Sequence, residues 1–205
     1  MAAPERAEPA IARLARAELA EAASLLALAF RDNPLNRAVI GDARPERRLR
    51  CNRHGMRALL PSALAHGLVL AARGPAGLRA VLVSSPPFAY PLPPPPLWTR
   101  LRCALGQGLQ VAQRWAQVFE VLDAEHPREP HWYLGALAVH PDQQGRGLGS
   151  ALLAHWLGLA GEERPFHYLE TDREQNLRFY GRQGFEVAGE LQILGARVWR
   201  MRRGR

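Results

Sequence analysis

Residues 131–160 constrain the fold more than any other part of the chain. HWYLGALAVH (His131–His140) runs into PDQQGRGLGS and then into ALLAHWLGLA. The first stretch is apolar and suits a central strand, and the last is helical. Gly135 inside the strand predicts a bulge or a close backbone approach. Between the two, glycines at 145, 147 and 149 let the backbone turn tightly and leave its N–H groups bare. The helix that follows adds the positive end of its dipole. A strand, a glycine turn and a helix in this order make a seat for an anion, and a diphosphate is the natural tenant. Arg146 at the loop tip either adds a guanidinium contact or is merely solvated.

Composition removes several chemistries. The 27 basic residues are all arginine, because the sequence holds no lysine. Lysine Schiff bases and the phosphate-loop lysine of an NTPase are therefore excluded. The glycine loop is not a dinucleotide fingerprint either, since it lies late in the chain and lacks G-x-G-x-x-G spacing. A net charge of +8 would suit a polyanionic partner, but the arginines are scattered and only 197–205 is dense. No nucleic-acid-binding motif accompanies the charge, so nucleic acid is not expected as a partner. Cys51 and Cys103 match no metal-ligand spacing and suit a reducing compartment; no metal is expected. The N-terminus has Glu5, Glu8, Glu18 and Glu21 and no apolar core of a signal peptide. No apolar run is long enough for a membrane span, so the expectation is a cytoplasmic protein with no membrane partner.

Elsewhere the pattern predicts a short strand over 10–14 and an amphipathic helix over 17–30 that stops at Asp32-Asn33-Pro34. A second helix is expected from Pro45 to about Leu60. The runs 67–73 and 78–84 read as a hairpin around Gly74-Pro75-Ala76-Gly77. SSPPFAYPLPPPPLW (84–98) forbids helix and sheet and favours polyproline II, as a stiff connector rather than a docking ligand. Helical spacing resumes over 98–122. Phe166–Thr171 is a strand, Asp172–Arg182 a short helix, and 184–191 with 197–201 a final antiparallel pair.

LAVHPDQQGRGLGSALL resembles the acetyl-CoA segment of the GNAT acyltransferase superfamily, with Gln144, Gly147 and Gly149 at the positions of Q/R-x-x-G-x-G/A. LETDREQNLRFYGRQGFEV resembles that superfamily's next strand and helix through Asn176, Phe179, Tyr180, Gly184 and Phe185. The likeness is strong over 125–187, weak over 17–60 and unconvincing between 61 and 124. Within the superfamily it is most similar to members of the puromycin N-acetyltransferase type. The fold implied is α+β: a mixed, mostly antiparallel sheet of about seven strands, splayed between the fourth and fifth and flanked by helices. Residues 1–9 would be a flexible N-terminus and 10–205 a single domain.

The resemblance also implies acetyl-CoA as co-substrate. Its pantetheine would bond the backbone of Leu137, Ala138 and Val139. The pyrophosphate would sit on the amides of Gly145, Arg146, Gly147, Leu148, Gly149 and Ser150 beside Gln144. Tyr180 stands at the superfamily's acid position, where a phenol can protonate a departing thiolate. Glu170 is the candidate base, with His131 and His140 as alternatives acting through water. Asn176 either bonds the pantetheine arm or caps the helix before Tyr180. The function implied is acetyl transfer to the primary amine of a small molecule; the alternative is an acyl-CoA sensor without turnover. Phe88, Tyr90 and Trp98, with no Asp or Glu from Ser84 to Val118, point to an acceptor with an aromatic or apolar part. Monomer and homodimer both remain open.

Overall fold

The computed structural model describes residues 10–41, 44–160 and 165–204. The N-terminal segment 1–9, expected to be flexible, lies outside the described residues. In chain order the elements are β1 (Ala10–Arg13), α1 (Leu19–Ala29), α2 (Pro34–Ile40), α3 (Pro45–His66), β2 (Leu68–Gly74), β3 (Gly77–Ser85) and α4 (Leu97–Gln107). There follow α5 (Leu109–Ala124), β4 (His131–Val139), α6 (Leu148–Ala160), β5 (Phe166–Thr171), α7 (Gln175–Gly181), β6 (Glu186–Ile193) and β7 (Ala196–Arg203).

The strands form one seven-stranded sheet in the order β1-β2-β3-β4-β5-β7-β6. Every neighbouring pair is antiparallel except β4 and β5, which run parallel. That pair is short. It holds from His131 opposite Phe166 to Leu134 opposite Leu169 and then stops. Beyond it β4 stays with β3 as far as Val139, while Glu170 and Thr171 of β5 stay with β7. The sheet therefore opens in a V between its fourth and fifth strands.

Gly135 sits where the V begins. Ser84 faces Leu134 and Val83 faces Ala136, so Gly135 is the extra residue of a bulge. A bulge sharpens the local twist and bends its strand, here at the point where the parallel pairing ends. It also resets the alternation of side chains. Leu134, Leu137 and Val139 share one face, and Ala136 and Ala138 the other, a pattern that an unbroken period of two could not give.

Each face carries its own core. On one side α1 and α3 cover Val69, Ala71, Val81 and Ala138 with Ala22, Ala23, Leu26, Leu60 and Ala63. On the other, α6 and α7 cover Leu70, Leu82, Leu134 and Leu169 with Leu152, Leu153, Trp156 and Tyr180. The hairpin between β2 and β3 is locked to α1, because Glu21 accepts the Leu78 amide at 2.6 Å. Gly77 in that turn has φ +113°, and a Cβ there would collide with the Glu21 carboxylate.

Three elements depart from the sequence expectation. α2 forms directly after the Asn33-Pro34 turn, with Pro34 in its first turn. α3 continues through Pro61 to His66, because Leu60 and Ala63 are buried against the sheet on either side of it. The single helix expected over 98–122 is two helices, parted by Gly108 at φ +92°. The proline-rich connector holds neither helix nor strand over 86–96; Ser62 donates to the Pro93 carbonyl at 2.6 Å and ties it to α3.

His167 is packed edge-on to Trp156, and burial holds its pKa down, from 6.5 to about 4. The ring is thus neutral in the fold while the unfolded chain takes up the proton first. Stability contributed by the neutral ring is complete above pH 6.5 and is lost as pH falls toward 4. Urea titrations across that range should show the acid-side slope reduced in His167→Gln; an unchanged slope would assign it to other groups.

Candidate active site

The V exposes the backbone of β4 on one edge. The His140 N–H donates to the Arg79 carbonyl at 2.8 Å, so this residue pair faces β3. Polar groups alternate along an antiparallel ladder, and the register then turns Ala138 to β3 and leaves Leu137 and Val139 facing the opening. Gln144 agrees with this, since its side-chain amide donates to the Val139 carbonyl at 3.2 Å. Of the three backbone positions expected at the cofactor, two present their N–H and C=O to the cleft. The third, Ala138, uses its own in the sheet.

The glycine loop closes the wide end of the V. After a short 3-10 turn over Pro141–Gln143, Gly145 and Gly147 take φ of +74° and +80°, which favour glycine. A Cβ on either would point into open space. α6 starts at Leu148, whose buried side chain pins the helix end to the core, and the Ala151 N–H donates to the Gly147 carbonyl at 2.9 Å. Among the described residues no backbone carbonyl outside a helix accepts from the amides of Gly145, Arg146, Gly147, Leu148, Gly149 or Ser150. Those amides, together with the α6 dipole, make this turn electropositive. Gly149 packs at its Cβ position 3.4 Å from Val139 and 3.6 Å from Phe179, which leaves room for a methyl group. Arg146 is exposed.

Tyr180 comes from α7, on the α6 face of the sheet. It is buried edge-on against Phe179 and Phe185, and its hydroxyl has no hydrogen-bond partner among the described residues. Burial, and then the Asp172 carboxylate, push the phenol above its ordinary value, so it carries its proton at any working pH. Asn176 lies within α7 and does not cap it. Its Nδ2 donates to the Thr171 hydroxyl at 2.9 Å and so binds the helix to the end of β5. Asp172, which the sequence did not single out, accepts from the Leu35 amide at 2.8 Å and the Asn33 side chain at 3.1 Å. It thereby fixes the start of α2 against the same strand end.

Glu170 faces the other way. Its side chain is only 7% exposed and lies in a box of aromatic and imidazole rings on the opposite face of the sheet from Tyr180. His126, from the turn after α5, brings Nδ1 to 3.6 Å from Glu170 Oε1. Tyr90 of the proline-rich connector stacks on His126 at 3.6 Å between centroids, and Tyr133 and Tyr168 meet it edge-on. Burial first, then the nearby Glu170 carboxylate, push all three phenols up, Tyr90 to about 12.

Of the alternative bases, His131 is in this box, with its pKa lowered chiefly by burial. His140 is not. It stands at the far end of β4, where its Nδ1 accepts the Asp142 amide. Of the three aromatics noted in the connector region, Tyr90 enters the box, while Phe88 and Trp98 are 87% and 61% exposed. His126 and Asp172 escaped the sequence reading because single polar residues at turns carry no spacing signal.

Residues 109–187, which contain the whole V from α5 to the start of β6, match the family model described as "Acetyltransferase (GNAT) domain". The chain has the GNAT acetyltransferase fold. Its solved neighbours include an acetyltransferase from Corynebacterium glutamicum, described with histone acetyltransferase HPA2, at 21% identity. That match covers 95% of each chain with a TM-score of 0.69. The Drosophila melanogaster polyamine N-acetyltransferase, which forms N-acetylagmatine, is 15% identical over 95% of this chain and 98% of that one, TM-score 0.66. The Aedes aegypti arylalkylamine N-acetyltransferase 2 is 13% identical over 96% and 98%, TM-score 0.57. At these identities the likeness is one of fold.

The role of Asp172 in holding two elements together is measurable. Asp172→Ala leaves the buried Asn33 side chain and the Leu35 amide without their acceptor, and should lower unfolding free energy by roughly 1–3 kcal/mol in urea. A variant as stable as the parent would mean that α2 docks without it.

Proposed function

We propose that residues 10–205 act as one N-acetyltransferase domain that moves acetyl from acetyl-CoA to the primary amine of a compact small molecule. The observation that carries this reading is the V between β4 and β5. It has a row of backbone amides without backbone acceptors at its mouth and a protonated phenol and a carboxylate on its two faces. Pantetheine in the V would add to β4 like a partial strand, through Leu137 and Val139. The diphosphate would rest on the amides of 145–150, and Asn176 would offer its Oδ1 to the pantetheine arm.

The chemistry proposed is direct transfer. A protonated alkylamine gives its proton to Glu170 and attacks the thioester carbon, forming a C–N bond and a tetrahedral oxyanion. The oxyanion collapses, the C–S bond breaks, the thiolate takes the proton of Tyr180, and the surplus N–H proton of the new amide returns to the phenolate. A phenol with a raised pKa stays protonated at working pH; the same burial makes it a weak acid, so its transfer to the thiolate is coupled to its reprotonation by the amide nitrogen.

The rings around Glu170 support an acceptor with an aromatic or apolar part, as in enzymes of the puromycin N-acetyltransferase type. Tyr90 and Tyr133, both half-buried, offer ring edges and Tyr90's outer face for packing, and a strongly positive chain repels polycations. A screen following CoA release should give turnover with aromatic-bearing primary amines and little with aminoglycosides or lysine-rich peptides. The reverse ranking would overturn the acceptor class.

Tyr180→Phe should lower turnover by about 100- to 10,000-fold while acetyl-CoA affinity, measured by calorimetry, stays within error. Parent-like rates would show that another group protonates the thiolate. Loss of affinity instead would make Tyr180 a packing residue of the cofactor site.

A further inference from the structure

His126 and His131 form a chain whose protons can be placed from the geometry alone. His131 Nδ1 lies 2.7 Å from the Glu129 carbonyl oxygen. A carbonyl only accepts, so His131 carries its proton on Nδ1. The two imidazoles meet at Nε2···Nε2, 2.9 Å apart. One of those nitrogens must donate. With a neutral His131 already protonated on Nδ1, the donor is His126 Nε2. The remaining nitrogen, His126 Nδ1, is buried without a partner among the described residues and points at Glu170 Oε1 across 3.6 Å, while the Tyr133 and Tyr168 hydroxyls also lie at the Glu170 carboxylate. A bare imidazole lone pair facing a carboxylate out of water is costly, and a proton on that nitrogen removes the cost.

We infer that His126 is a positioning residue for Glu170, holding it through one shared proton and passing the proton taken from the amine to His131. The inference rests on the reading of Glu170 as the base. The transfer balances: as Glu170 takes the proton of the amine, His126 keeps the shared proton on Nδ1 and releases its Nε2 proton to His131 Nε2, and His131 gives its Nδ1 proton to solvent water beside the Glu129 carbonyl. His126 ends as a neutral Nδ1–H ring and His131 as a neutral Nε2–H ring, and the net change is one proton taken up at the cleft and one delivered at the solvent edge. Tyr90 stacked on His126 keeps the ring plane fixed and covers the chain from the connector side.

The charged surroundings are mixed. From β4, His131 and Tyr133 face the ring, and from β5, Tyr168 and Glu170. The connector contributes Tyr90, whose own surroundings include Asp123 and Arg128. From β7, Arg200 is paired with Glu125 at 2.7 Å and Arg202 with Glu129 at 3.4 Å, so each of these cations has a carboxylate beside it.

Nitrogen-15 NMR of the histidines tests the shared proton without any assay of turnover. In the parent chain at neutral pH, His126 should show hydrogen on both ring nitrogens and His131 on Nδ1. In Glu170→Gln, His126 should revert to a neutral Nε2–H ring. A singly protonated His126 that does not change in Glu170→Gln overturns the inference. In turnover, His126→Asn keeps a donor toward Glu170 but cannot pass a proton. It should keep the KM for acetyl-CoA, lower kcat by roughly 100-fold and displace the acid limb of the kcat/KM profile. An unmoved pH profile in His126→Asn overturns the inference and leaves the acetyltransferase reading standing. A chain that acetylates no amine but keeps the Glu170-dependent His126 signal supports the shared proton and overturns the acetyltransferase reading.

Discussion

The parallel pairing of β4 with β5 ends after four residues, and the rest of the site depends on that ending. A continuous ladder would spend the N–H and C=O groups of Leu137 and Val139 on β5 and leave no opening. The bulge at Gly135 is the physical device. One extra residue turns β4 away from β5 while β3 follows it, and it brings Leu137 and Val139 onto the face covered by α6. Backbone that would be buried and unpaired in most sheets is here an edge, short enough that only a narrow, extended ligand fits along it.

Opening the sheet gives the candidate site two unlike walls. Tyr180 stands among the apolar side chains of the α6 face, where burial keeps a phenol protonated. Glu170 stands on the other face among rings that can donate to it. The same strand places both Leu169 in the core and Glu170 in the box, because successive side chains point to opposite faces. Thr171 and Asp172 then anchor α7 and α2 to the end of β5, so the positions of Tyr180 and of the connector-side elements are referred to one strand.

The arginines have a structural use that their scatter concealed. Arg73 reaches Glu18 with two bonds of 2.6 and 2.7 Å, joining β2 to the turn before α1. Asp32 receives Arg48 and Arg31, each at 2.6 Å, beside the start of α2. A planar guanidinium suits such forked pairs better than an ammonium would. Several of these pairs are half exposed and contribute about 0–1 kcal/mol each, so they fix orientation more than they stabilise.

Local chemistry was legible in the sequence wherever consecutive residues act together. The strand–glycine–helix unit, the Gly135 bulge, the hairpin at 74–77 and the boundaries of β5 all follow from neighbours in the chain, because turn geometry and side-chain alternation are short-range. Helix continuity was less legible: Pro61 stays inside α3 because its neighbours are buried, and Gly108 breaks a pattern that periodicity alone would carry through. The walls of the site were decided only by tertiary structure. Tyr90, His126, Tyr133, Tyr168 and Glu170 are separated by tens of residues and meet because three strands, a helix end and a proline-rich connector converge. No spacing rule in a sequence encodes a ring stack between residue 90 and residue 126. It exists because the sheet twists and opens where it does.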